Sequence, residues 1–352
     1  MAKMLARKLD NGIIRCVACN RYCTISQGNA GFCGVRANID GKLQLLVHSK
    51  PAAVWVDPVE KKPLFHFLPG STSFSLGTYG CNLNCLYCQN WDLSQAPQEA
   101  RAKDPKRWMT YFKDLVAKVE DWPPERVVET AIRDGCKSIS FTYSEPTIFT
   151  EYAIDVMKLA RKKGLKGIYV TNGYESKECW NAIKGYIDAA NIDLKAYNQR
   201  FYTELCRVPD FEKVKDSIVY ARKLGIWVEV TTLLIPRWND NEQELREEAK
   251  WLASVDPLMP WHITAFHPDY KMLDTPPTPP ESLVKAREIA KMAGLKYVYC
   301  GNVPSSYFDY EATECHKCGR KLVSRYGFSV TENNIQDGKC RFCKQTIPGI
   351  WK

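Results

Sequence analysis

The sequence contains no apolar run approaching the about 18 residues that a membrane-crossing helix needs. Its opening, Met-Ala-Lys-Met-Leu-Ala-Arg-Lys, lacks the apolar core of a secretory leader. Long internal repeats and low-complexity tracts are also missing, which argues against solenoid, fibrous and compositionally disordered classes. These absences predict a cytoplasmic globular protein. The 352 residues, 45% hydrophobic and 25% charged, suffice for one large domain with small appendages.

A strong charge of one sign is missing from the middle of the chain. The net charge is +9, but residues 1–40 carry six Lys/Arg against two Asp, and residues 312–352 carry eight against three acids. The middle is therefore neutral, which argues against a nucleic-acid partner. Both basic ends are cysteine-rich, and four thiolates on one divalent ion leave −2, so much of the basic excess offsets metal–thiolate charge.

Cysteine is abundant, at fifteen residues. Without a leader the count argues against a disulfide framework, and eleven of the fifteen fall in three clusters with metal-ligand spacing. Cys136, Cys179, Cys206 and Cys300 stand alone and are expected to be buried thiols. Cys81, Cys85 and Cys88 form C-x3-C-x2-C with no fourth cysteine nearby in sequence. A zinc site closes with a fourth Cys or His, and the nearest histidine, His66, lies fifteen residues upstream. A cubane iron–sulfur cluster takes four thiolates, so three leave one iron open.

Three zones are expected: a Cys-rich module over 1–70, an α/β domain over 71–310 and a second Cys-rich module over 311–352. In the middle zone, β-branched runs at 73–79, 137–142, 167–171, 189–194, 227–233, 262–266 and 296–300 alternate with helical patterns at 148–163, 211–224, 242–253 and 281–293. This alternation predicts a parallel sheet in an open, partial TIM-like (β/α)6-type barrel, with chemistry at the strands' C-terminal ends. The Cys81 loop, Tyr143-Ser-Glu-Pro146, Thr171-Asn-Gly173, Asp193-Leu-Lys195 and His267-Pro268 all fall at such ends. The proline-rich stretch 274–281 is placed on the same side. Residues 96–124 read as an extra amphipathic helix covering the barrel.

With Tyr87 before Cys88, the cysteine motif resembles that of the radical S-adenosylmethionine (SAM) superfamily. That resemblance implies a [4Fe–4S] cluster on Cys81, Cys85 and Cys88, whose open iron chelates SAM. It implies reductive cleavage to methionine and a 5′-deoxyadenosyl radical that abstracts hydrogen, and a low-potential electron donor of ferredoxin or flavodoxin type. Glu145 stands where the superfamily meets the SAM amino group, although Tyr143 and Ser144 replace its glycines. Thr171, Asn172, Asp193 and Lys195 resemble residues lining the SAM ribose and carboxylate in glycyl-radical-enzyme activases, and His267 resembles a histidine near SAM. Tyr87 and Asn90 flank the cluster loop and complete the expected cofactor-binding set. Beyond cluster and SAM, no catalytic side chain is identified.

Over nearly the whole chain, segments such as Asp57–His66, Gln89–Gln95 and Gly338–Trp351 resemble the AmmeMemoRadiSam-system radical SAM enzyme. That implies AMMECR-type and Memo-like partners and leaves the substrate open. The alternatives are a pyruvate formate-lyase-like activase and, in another class, a non-catalytic iron–sulfur redox or zinc-ribbon binding protein.

The flanking modules read separately. Cys315-x2-Cys318 and Cys340-x2-Cys343, with 21 residues between, predict a zinc ribbon, with rubredoxin-like iron as alternative. Cys16-x2-Cys19-x3-Cys23-x9-Cys33 predicts a second four-thiolate site. Zinc is the expectation there, and another [4Fe–4S] cluster the alternative.

Overall fold

The computed structural model describes residues 4–352. Its main sheet has strands β1 (Ala53–Pro58), β2 (Thr72–Gly77), β3 (Ser138–Phe141), β4 (Lys166–Thr171), β5 (Ala189–Asp193), β6 (Trp227–Leu234), β7 (Trp261–Ala265) and β8 (Val298–Gly301). They lie in sequential order across an open sheet. Strands β2 to β8 are parallel, and β1 pairs antiparallel on the β2 edge. Helices α1 (Ala96–Lys103), α2 (Trp108–Ala117) and α3 (Pro124–Arg133) link β2 to β3. Helices α4 (Thr150–Ala160), α5 (Lys177–Ile183), α6 (Glu212–Lys223), α7 (Glu242–Val255) and α8 (Pro280–Met292) follow in the later crossovers. The expected partial barrel is thus present, with seven parallel strands.

The crossover helices bury one stripe each against strands that are themselves almost wholly buried, as in Ser138–Phe141. Three caps fix helix starts: Ser176 for α5, Asn241 for α7 and, ahead of α2, Asp104, whose Oδ1 accepts from the Lys106 and Arg107 amides. Asp104 and Pro105 break residues 96–117 into two helices where the sequence pattern suggested one.

Both cysteine modules are fused to this barrel. The N-terminal segment contributes Leu5, Ile14, Val35 and Leu43 to the main core. Strand β1, inside the first 70 residues, belongs to the main sheet. The C-terminal three-stranded sheet, Thr313–Glu314, Lys321–Tyr326 and Ser329–Asn333, packs Leu322 and Val323 against Phe65, Tyr297 and Tyr299. At this end of the barrel Glu229 accepts from the Phe65 and His66 amides at 2.9 and 2.8 Å, from Trp227 Nε1 at 3.0 Å, and pairs with His262 Nε2 at 2.7 Å. The residues before β2 and the tail are stapled there together. Among the described residues no helix is long and apolar enough to cross a membrane.

Candidate active site

The parallel strands end level with one another. Asp193 pairs with Thr231, and Ile192 with Thr171. Their C-terminal ends surround a cavity of about 490 Å³. Cys81, Cys85 and Cys88 enter it from the loop after β2, Ser144 from the loop after β3, and Thr171 and Asn172 from the end of β4. Asn191 and Asp193 enter from β5, Thr231 from β6, Thr264 from β7 and Asn302 after β8.

The cysteine loop needs its glycines. A Cβ on Gly77 would sit 2.5 Å from the Thr142 carbonyl, and one on Gly80, at φ +95°, would sit 2.6 Å from the Cys33 carbonyl. Leu83 N–H donates to Cys81 Sγ at 3.3 Å. Burial pushes Cys88 up to about 11 and Cys81 well above its ordinary value. Cys85 is raised first by its hydrogen bond with Cys206 and then by burial. Without a cation these thiols stay protonated, so a metal is what would draw them out as thiolates. The donor set fits an iron–sulfur cluster in which the protein supplies three ligands.

Cys206 is the residue the sequence concealed. It closes a π-helical turn, Tyr202–Cys206, and is followed by Arg207 at φ +59°. That turn packs on the cluster loop, with the Asn84 and Leu86 amides donating to the Cys206 and Leu205 carbonyls. Its Sγ lies 3.2 Å from Tyr87 Oη. A fourth cysteine does stand beside the motif, as neighbour to Cys85. The only advance signal is the reach of a crossover that returns to the cavity rim.

Lys195 and Asp193 form an ion pair at 2.7 Å. Burial works against the Lys195 charge, but Asp193, Cys85 and Cys206 outweigh it and hold the ammonium well above the ordinary lysine range. Asn172 lines the cavity, donating Nδ2 to Asn82 Oδ1 at 2.7 Å. Tyr87 and Asn90 are on the wall, as are Lys61 and Lys62. Lys62 Nζ lies 2.6 Å from Asp57 Oδ2, and burial lowers its pKa to about 8 despite that partner. Three buried polar atoms on the wall, Ser144 Oγ, Asn191 Oδ1 and Thr231 Oγ1, have no protein partner. A buried orphan group costs about 1–3 kcal/mol, so such a wall suits a polar ligand with several donors and acceptors. SAM offers an amino acid moiety, ribose hydroxyls and adenine, and fits that description.

Two residues expected at the ligand, Glu145 and His267, do not line the cavity. Glu145 is fully buried behind the wall. Its carboxylate accepts from Thr147 N at 3.0 Å, Thr147 Oγ1 at 2.5 Å, Thr171 Oγ1 at 2.8 Å and Asn172 N at 2.9 Å. Tyr143 takes a left-handed φ of +66°, and the following turn aims Ser144 at the cavity while Glu145 points into the protein. Thr171 Oγ1 also lies 2.5 Å from Glu175 Oε1. One hydroxyl cannot donate to two carboxylates. Burial and then the Glu145 charge raise Glu175 to about 8, and burial raises Glu145 as well, so the pair holds an extra proton at neutral pH. His267 is exposed and outside the cavity, with Nε2 3.0 Å from Gln89 Nε2. The proline-rich stretch also stays off the wall, pinned by Thr278, whose hydroxyl donates to the Leu234 carbonyl at 2.5 Å. Asn191, Thr231, Thr264 and Asn302 were not foreseen. For the first three the usable signal was a polar residue inside an otherwise apolar strand; Asn302 lies just beyond β8.

At the C-terminal module, Sγ atoms of Cys315 and Cys343 lie 3.6 Å apart, and those of Cys318 and Cys340 lie 3.8 Å apart. All four lie within 4.8 Å of one another, so this cluster could hold one metal ion. Left-handed residues Gly319 and Lys344 close its two knuckles.

The sequence pattern of the Radical SAM superfamily matches residues 75–249, which hold the three cysteines and the walls from β2 to β6. The uncharacterised protein MJ0808 of Methanocaldococcus jannaschii is 42% identical over 98% of both chains, so the likeness includes both flanking modules. Pyruvate formate-lyase 1-activating enzyme of Escherichia coli is 22% identical over 62% of this chain and 89% of its own. A solved domain of pyruvate-formate lyase-activating enzyme from Bacteroides vulgatus overlaps 47% of this chain and 99% of its own at 22% identity, with a TM-score of 0.42, too loose to bear on the site. The matched cysteine loop, the parallel strands behind it and the relatives that share them agree: this chain is an enzyme of the radical SAM superfamily, homologous to pyruvate formate-lyase activating enzyme.

Proposed function

We propose that Cys81, Cys85 and Cys88 hold a [4Fe–4S] cluster, and that the cavity binds SAM against it, in an enzyme of the AmmeMemoRadiSam type. The observation that carries this reading is three cysteines sharing one cavity with orphaned polar groups at level strand ends. When bound, the cluster supplies one electron that cleaves SAM to methionine and a 5′-deoxyadenosyl radical, which takes a hydrogen atom from the substrate.

The protein's part is to bind, orient and exclude water. Lys195, kept charged by Asp193, faces the cysteines and offers a cation to a carboxylate. Asn172, Thr171 and Asn90 supply polar wall atoms, and Tyr87 lines the wall with its hydroxyl against Cys206 Sγ. Glu145 acts at one remove: its bonds to the Asn172 amide and the Thr171 hydroxyl fix the end of β4. Ser144 takes the cavity-facing position in that motif, with its hydroxyl free for the SAM amino group. The four C-terminal cysteines hold zinc, which locks a module that reaches the cavity through Phe328.

A low-potential ferredoxin- or flavodoxin-type donor, and AMMECR-type and Memo-like partners in the cytoplasm, complete this reading. A glycyl-radical activase is the second reading: the likeness to the Escherichia coli activase covers 62% of the chain, while MJ0808, which matches 98% of it with both cysteine modules, is uncharacterised. The test mixes anaerobically reconstituted protein, dithionite and SAM with a co-expressed AMMECR-type or Memo-like protein, or with a glycyl radical protein. Faster 5′-deoxyadenosine release with the first pair supports the proposal. A glycyl EPR signal with the last would replace it with an activase.

A further inference from the structure

The four N-terminal cysteines line a second cavity, together with Arg36 and Asn82. Cys16, Cys19 and Cys33 are buried and Cys23 is half-buried. Each sulfur already accepts a hydrogen bond. Arg36 Nε donates to Cys16 at 3.2 Å, and the Phe32 amide to Cys23 at 3.5 Å. The Arg21 and Val35 amides serve Cys19 and Cys33. These are preformed acceptor positions for thiolates.

The spacing of the sulfurs selects the metal. Zinc binds each sulfur at about 2.3 Å, which sets tetrahedral neighbours about 3.8 Å apart. The C-terminal sulfurs, at 3.6 and 3.8 Å, match that edge. Among the described residues theirs is the one group of three or more Cys, His, Asp or Glu whose ligand atoms all lie within 4.8 Å of one another. The N-terminal sulfurs stand wider around their cavity, as Cys81, Cys85 and Cys88 do around theirs. Four thiolates that each take their own corner of a cube require that wider spacing. Asn82 adds an independent sign. Its Nδ2 is buried and has no partner, while its Oδ1 is taken by Asn172. A cubane carries sulfides that accept N–H donors. A zinc ion enclosed by four cysteines adds no acceptor beyond the cysteine sulfurs, each of which already takes a donor.

We infer that Cys16, Cys19, Cys23 and Cys33 hold a second [4Fe–4S] cluster, which passes electrons to the central one. The two sites share walls. Asn82 lines this cavity and bonds Asn172 of the other. The Cys33 carbonyl lies 2.6 Å from where a Gly80 Cβ would be, next to Cys81. Cys23, the least buried of the four, is the entry side. The step moves one electron from an external one-electron carrier, which is oxidised, onto the N-terminal cluster and then to the central cluster. No bond or proton is exchanged. Helix α1 covers this module, with Arg101 donating to the Phe32 and Gly31 carbonyls at 2.6 and 2.7 Å.

The transfer half rests on the proposed central cluster; the metal assignment does not. The test is anaerobic metal analysis of the full chain and of its Cys81→Ala/Cys85→Ala/Cys88→Ala variant. The variant is expected to keep about four iron and four sulfide per chain, against about eight of each in the wild type. It should bleach reversibly with dithionite and contain one zinc. A variant with two zinc and no iron would overturn the inference. If the variant does not fold, the wild-type count decides: about eight iron supports two clusters, and about four iron with two zinc refutes the second. In dithionite-reduced wild type, spin–spin broadening of the EPR signal, absent from the variant, supports transfer. Two unbroadened signals would refute it and leave the metal assignment in place. A failure of SAM cleavage affects none of these counts.

Discussion

The chain carries two complete four-cysteine sets, and they differ in geometry rather than in ligand count. The C-terminal set is closed like a fist, with sulfurs at the edge length of a mononuclear tetrahedron. The N-terminal set lines its own cavity and backs onto the Cys81–Cys88 loop. The lesson is that equal stoichiometry hides two jobs. One set fastens a module to the barrel, and the other is placed where an electron could enter it.

The largest effect should come from opening the closed set. Cys340→Ala is expected to abolish binding of the proposed zinc at the C-terminal module. Apparent binding energies for structural zinc reach on the order of 10 kcal/mol, so the module should lose its packing on Phe65 and Tyr299. Limited proteolysis should then cut within 313–340, while the iron content stays as in the wild type. Protection equal to the wild type would show that the module folds without metal.

The open set is expected to fail differently. Arg36 is buried, doubly paired to Glu151 at 2.7 Å and bonded to Cys16. Arg36→Met strands a buried carboxylate and should cost about 3–5 kcal/mol in chemical denaturation. The double change Arg36→Met/Glu151→Leu should recover most of that loss. A double variant as unstable as the single one would place the cost in the lost Cys16 contact instead.

Acid should loosen the C-terminal side first. His66 is buried between Tyr299 Oη and the Pro348 carbonyl, and burial lowers its pKa to about 4. The folded state therefore refuses a proton that the unfolded chain accepts below about pH 6.5. Stability is full above that pH and falls as pH drops toward 4, by on the order of 3 kcal/mol from this group. His66→Gln should flatten that slope in denaturation measured from pH 7 to 4. An unchanged slope would assign the acid sensitivity to other groups.

The smallest effect tests the central loop. Cys206 sits beside Cys85, so Cys206→Ala removes one hydrogen bond near a cluster sulfur. The iron count should hold, and the midpoint potential of the central cluster should move by roughly 50 mV, the one-electron equivalent of a hydrogen bond worth about 1 kcal/mol. An unchanged potential would make Cys206 a packing residue only.

The sheet was largely legible in the sequence because each parallel strand is a short β-branched run between helical periods, and all seven runs became strands. Strand β1 was not, because Asp57 and Pro58 interrupt it and its exposed Trp55 and Val56 break the buried pattern. Cavity position was legible from strand ends, but side-chain direction was not. Ser144 and Glu145 are adjacent, and the left-handed Tyr143 decides which faces the cavity. His267 occupies the right loop and points to solvent. Cys206 came near the site through a π-turn that no local spacing announces.

SAM cleavage at the three-cysteine cavity is the central claim. The direct measurement is 5′-deoxyadenosine formed from SAM under dithionite, by reconstituted wild type and by the Cys81→Ala/Cys85→Ala/Cys88→Ala variant of matched circular dichroism. We predict product from the wild type and none from the variant. Equal product from both, or none from a wild type that holds its iron, would contradict it.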